Sequence, residues 1–134
     1  MSRSVESVSI GSCGEYFVSA ELERRGFTVA VPMANSINFD LLAVSRETNR
    51  QTALQVKTTS FGSLKWILSN KDKVIKDKNV YYIFVHLHEL GEPEFFIIPS
   101  EIIYQFANNS NSKVITFSIK DEFVKYKNNW QLLK

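Results

Sequence analysis

Apolar residues fall along this chain first with a helical period and then in short runs of strand type. In "SIGSCGEYFVSAELERRG" (9–26), Val18 and Leu22 follow Glu15 at spacings that place all three on one helical face. Ser12 stands where an N-cap would, Glu15 in the capping-box position, and Gly26 where the helix should end. "FTVAVP" (27–32) predicts a short strand stopped by Pro32, followed by the polar loop "MANSIN". Two strands are expected over 38–45 and 51–59, joined by a turn rich in Arg46, Glu47, Asn49 and Arg50. The stretch 65–78 opens on Trp66, Ile67 and Leu68 and then turns polar, predicting a loop with some helix over 70–77. "VYYIFVHLH" (80–88) has the unbroken apolar run of a buried strand, and "PEFFIIP" (93–99) is its partner across the "ELGEP" turn. Ser100 is placed to cap a helix whose Ile102, Ile103 and Phe106 share a face, and "KVITFSI" (113–119) is a further strand. Phe123, Tyr126 and Trp130 anchor the basic tail. The order predicts an α/β domain with a mixed sheet.

Composition narrows this picture without redirecting it. A length of 134 residues suits a single domain spanning 1–134. A net charge of +2 is compatible with a nucleic-acid partner but does not demand one. Cys13 is the sole cysteine, which excludes an internal disulfide framework and points to a reducing compartment. No signal-type apolar segment opens the chain, and no apolar run approaches the ~20 residues of a membrane span, so a cytoplasmic protein is expected.

The residues that do not fit a plain sheet are the informative ones. Asp40 sits beside Phe39, Leu41 and Leu42, and Gln55 and Lys57 flank Val56 in the next strand. Alternation puts Ala53, Gln55 and Lys57 on one face and Leu54, Val56 and Thr58 on the other. A hairpin brings Asp40 beside Gln55 and Lys57, and Glu15 joins them if the first helix packs across that face. Carboxylates with an amide oxygen make a hard-cation site of the kind Mg²⁺ uses. A neighbouring lysine can hold a phosphate or offset developing charge. Buried ionisable groups are costly unless paired or metal-bound, so the cluster needs a reason.

The order helix-Glu15, strand-Asp40 and strand-Gln55-Val56-Lys57 resembles the PD-(D/E)-x-K nuclease superfamily, nearest to the archaeal Holliday-junction resolvases. The resemblance is close over residues 9–60 and loose over 80–107. It implies a restriction-endonuclease-like fold, a mixed β-sheet core flanked by helices. It also implies an endonuclease that uses Mg²⁺ or Mn²⁺ on DNA rather than RNA, acting as a homodimer to reach two strands. Asp40 would be the central metal ligand, and Glu15 an auxiliary ligand or water-positioner. Gln55 would occupy the second acidic position, with the Val56 carbonyl as a further ligand and Lys57 as the catalytic lysine. Ser36 aligns loosely with a serine of some resolvases, and Lys65, Lys71 and Lys73 could follow a phosphate backbone. The chain departs from the pattern at Gln55, whose amide brings no charge and should lower metal affinity, and at Phe39, where the motif has proline.

Other features read more plainly. His86 and His88 share a strand face, but with no third ligand in view they do not predict a zinc site. Cys13 reads as a packed or partly exposed residue rather than a nucleophile, and Trp66 and the Tyr81–Tyr82 pair as core rather than base-stacking platforms. Two other functions compete with the nuclease. Gln55 motivates a catalytically inactive nucleic-acid-binding module, and the small net charge a protein-interaction domain.

Overall fold

The computed structural model describes residues 3–33, 39–60, 62, 64–68 and 74–134, with side chains from Ser9 onward. Its elements are α1 (Arg3–Arg24), β1 (Phe27–Ala30), β2 (Leu41–Ser45), β3 (Gln51–Thr59), β4 (Lys65–Leu68), β5 (Val80–His86), β6 (Glu94–Pro99), α2 (Ser100–Asn108) and β7 (Ile115–Ser118). Two 3-10 helices, Asp121–Tyr126 and Trp130–Leu133, follow. Five strands form one sheet in the order β1-β2-β3-β5-β6, and β4 and β7 pair separately. Among the described residues, only the β3–β5 pairing is parallel. The sheet is therefore mixed, as the sequence pattern predicts.

The buried run Tyr81–His86 explains why β5 lies inside the sheet: a strand covered on both faces needs apolar residues at successive positions, not alternate ones. One face packs Leu54, Ile83, Val85 and Ile97 under Val18 and Leu22 of α1, with Trp130 and Leu133 from the tail. The other packs Tyr82, Phe84, Phe96 and Ile98 under Ile103 and Ala107 of α2 and under Trp66 and Phe117 of the small sheet. Phe84 stacks on Phe117 at 4.7 Å between ring centroids and meets the edge of Trp66 at 5.2 Å. The Trp66 indole donates to the Val85 carbonyl at 3.0 Å, so its one polar group is satisfied inside the core. Trp66, Tyr81 and Tyr82 are core residues, as expected.

Three local expectations change. The first helix begins well before Ser12, so Ser12 lies inside it and neither caps it nor forms a capping box with Glu15. Gly26 does close it, at φ +98°, a conformation in which a side chain would be strained. Ser100 is the first residue of α2, not its cap. Its hydroxyl donates to the Asp77 carbonyl at 2.5 Å and accepts from the Asp77 N–H at 3.0 Å, tying the helix to the approach to β5. Residues 65–68 form β4 where a loop was expected, because Trp66 and Leu68 alternate inward with Lys65 and Ile67 outward. Residues 74–77 are not helical, and the rest of the helix expected there lies outside the described residues.

Candidate metal and phosphate site

β2 starts at Leu41 rather than at 38, and the bonding of Asp40 shows how the ladder ends there. The ladder pairs Leu41 with Leu54, so continuing the register would set Asp40 opposite Gln55. Instead the Asp40 N–H donates to the Leu54 carbonyl at 2.9 Å, and the Val56 N–H donates to Asp40 Oδ2 at 2.8 Å. A side-chain oxygen thus takes the place of a main-chain acceptor. The N–H and C=O of one strand residue point to the same edge, so the Val56 carbonyl faces the flank that Asp40 occupies. The carboxylate lies in the plane of the sheet at the end of the ladder, where both faces can reach it.

α1 brings Glu15 to this place. Gly14, Val18 and Leu22 are buried at a spacing of four, forming the stripe that meets the sheet. At Gly14 the helix backbone lies against β3: a Cβ there would collide with Thr58 Oγ1 and come within 2.9 Å of Thr58 Cβ. Glu15 is the next residue and sits half-buried at the rim of this contact. Burial raises its pKa above the usual 4.5, and the negative charge of Asp40 raises it further.

The native state therefore holds the Glu15 proton more tightly than the unfolded chain does. Stability is lost as pH rises from 4.5 through the raised native value, and the penalty remains in full at neutral pH. Glu15→Gln, measured by thermal unfolding without divalent ions, is expected to be more stable than wild type at pH 7 by no more than about 1 kcal/mol, since water screens a half-exposed carboxylate. At pH 4 the gain should vanish. A less stable variant at pH 7 would contradict this electrostatic account.

Gln55 and Lys57 approach from the other side. Their register partners on β5 are Tyr82 and Phe84, which belong to the core beneath α2, whereas α1 packs over Leu54 and Val56. α1 therefore does not cross the Gln55–Lys57 face, the condition on which Glu15 would have joined them there. Both side chains are half-buried, and Lys57 has no ion-pair partner among the described residues. An ammonium kept partly from water without a carboxylate is suited to an anion supplied from outside.

Asp40 and Glu15 are drawn together with the Val56 main chain, and Gln55 and Lys57 flank them on the sheet. Lys65 is exposed on β4. Ser36, Lys71 and Lys73 lie outside the described residues. The donor set around Asp40 consists of oxygens, two of them carboxylates whose mutual repulsion a cation would relieve, which fits Mg²⁺ or Mn²⁺.

A second cluster went unseen in the sequence. One ring nitrogen each of His86 and His88 and a carboxylate oxygen of Glu94 lie within 4.8 Å of one another. His86 and Glu94 are register partners across the β5–β6 hairpin. That pairing was the available signal, since folding the "ELGEP" turn back on itself sets residue 94 opposite 86.

Element order, sheet topology and the placement of α1 give a mixed five-stranded sheet flanked by helices, the fold class expected from the sequence. Neither models of protein families nor curated proteins give any sequence match. Two solved structures share the fold. The bacterial homing endonuclease I-Ssp6803I aligns with a TM-score of 0.62 at 17% identity, over 92% of this chain and 87% of its own. The Holliday junction resolvase Hjc of Archaeoglobus fulgidus, an archaeal hyperthermophile, aligns with a TM-score of 0.57 at 15% identity, over 87% of this chain and 88% of its own. Among the described residues, no helix is long and apolar enough to cross a membrane.

Proposed function

We propose that this chain is a divalent-metal-dependent endonuclease that hydrolyses phosphodiesters in duplex or branched DNA. The observation that carries the reading is the Asp40 carboxylate fixed by the Val56 N–H at 2.8 Å, with Glu15 close enough to feel its charge. The nuclease fold shared with a homing endonuclease and a Holliday junction resolvase supports it. In this reading residues 1–134 act as one cytoplasmic unit, paired as a homodimer to meet both strands.

Asp40, Glu15 and the Val56 carbonyl would hold Mg²⁺ or Mn²⁺, with the Gln55 amide as a neutral fourth donor. The ion supplies positive charge against the phosphate and makes nearby water more acidic. Asp40 acts as the fixed anchor, since its second role in the ladder denies it rotamer freedom. Glu15 would position the attacking water. Lys57 donates to a non-bridging oxygen and offsets the charge that builds there during in-line attack.

Gln55 favours a second reading, a module that grips nucleic acid without cutting it. Gln55→Glu separates the two. If the site is catalytic, the added carboxylate should lower the Mg²⁺ concentration for half-maximal cleavage by about tenfold. Salt-sensitive binding to DNA, with no cleavage in either form at any Mg²⁺ or Mn²⁺ concentration, would support the module instead.

A further inference from the structure

The geometry points to a second metal site, separate from the one at Asp40: a transition-metal centre of the zinc class held by His86, His88 and Glu94. Two imidazoles and one carboxylate form a donor set that Zn²⁺ takes with a fourth position left open. Their ligand atoms already lie within 4.8 Å of one another, and His88 Nε2 is 2.8 Å from Glu94 Oε1. Ligands at zinc distances and tetrahedral angles sit about 3.3 Å apart, so modest side-chain rotations close the set.

An independent observation makes this more than a chance cluster. His86 is 4% exposed, and its buried Nδ1 has no hydrogen-bond partner among the described residues. Leaving a buried ring nitrogen unsatisfied is costly, and the few native examples call for an explanation.

The surroundings supply the support that ligands need. Glu94 Oε2 is held by Lys127 Nζ at 3.0 Å, leaving Oε1 free to exchange its histidine for an ion. Lys127 itself is pinned where the tail bridges to Phe96 of β6. The His86 and His88 rings meet edge to face at 4.6 Å between centroids, which spaces them without stacking. His88 also lines a cavity of about 610 Å³ together with Cys13, Phe17, Leu87 and Leu90.

The site is distinct from the nuclease centre in position and in chemistry. His86 pairs in register with Thr59, two residues beyond the Lys57–Phe84 pair and so about 7 Å further along the strand. Its nitrogen donors select zinc-like ions over Mg²⁺. A metal here would clip the β5–β6 hairpin shut beside the strand that carries Lys57.

Tag-free protein, stripped with EDTA, is titrated with Zn²⁺ against a chromophoric chelator, and with Co²⁺ to read its visible absorption. A single Zn²⁺ per chain is expected, retained in excess Mg²⁺, with a Co²⁺ spectrum of low coordination number. His88→Ala and Glu94→Gln should each weaken Zn²⁺ binding by at least about tenfold, while Asp40→Asn leaves it unchanged. His88 is exposed, so its variant is expected to fold even if a change at Glu94 disturbs the hairpin. Absence of binding, affinity untouched by both substitutions, or loss in Asp40→Asn would each overturn the proposal.

Discussion

Asp40→Asn is expected to lose DNA cleavage by about a thousandfold or more while keeping its fold and its melting temperature. The amide oxygen can still accept from the Val56 N–H, so the end of the β2–β3 ladder stays closed. What disappears is the negative charge, and with it the central ligand. Asp40→Ala would confuse the two roles, because it strands the Val56 N–H as well, at a cost of about 1–3 kcal/mol. The asparagine variant also removes a charge that raises the Glu15 pKa, so that pKa should fall toward its usual value. Cleavage rates and thermal unfolding measured on the same preparation separate chemistry from stability. Full activity in Asp40→Asn would remove Asp40 from the site.

Gly14→Ala should destabilise the protein by about 3 kcal/mol, far more than a change of one methyl group suggests. Alanine is the better helix former, so on a free helix the substitution would help. Here the new Cβ meets Thr58 Oγ1 and Thr58 Cβ, and a β-branched side chain on a central strand cannot turn away. The helix must lift from β3, carrying Glu15 away from Asp40. Thr58→Ala should cost little by itself, since it deletes a buried hydroxyl that has no hydrogen-bond partner among the described residues. In the double variant the contact with Oγ1 is gone but the one with Cβ at 2.9 Å stays, so part of the loss should return, a coupling that chemical denaturation of the four proteins would measure. Additive effects would mean that α1 does not seat on Thr58.

Much of this was legible because the chain states its alternation openly. β3 was predicted over 51–59 and is found there, since turn residues bound it on one side and Ser60 on the other. The facing of Gln55 and Lys57 followed from parity alone. The side of the sheet taken by α1 did not follow, because Glu15, Val18 and Leu22 share a helical face in the sequence whichever sheet face they meet. Gly14 decided it: the close approach is made by the residue without a side chain, which hydrophobic periodicity cannot mark. β4 was hidden for a different reason, since it is four residues long and pairs with β7 some fifty positions away. The third member of the histidine cluster needed the hairpin register, a tertiary fact.

The central claim is that Asp40, Glu15 and Lys57 form a phosphodiesterase centre. It is tested most directly by incubating the wild type and Lys57→Ala with an end-labelled four-way junction and a supercoiled plasmid, in Mg²⁺, Mn²⁺ and EDTA. Cleavage by the wild type that requires the metal, and that falls by about 10²–10³-fold in Lys57→Ala, is the expected result. Cleavage that persists in EDTA, or that is equal in both proteins, would contradict it.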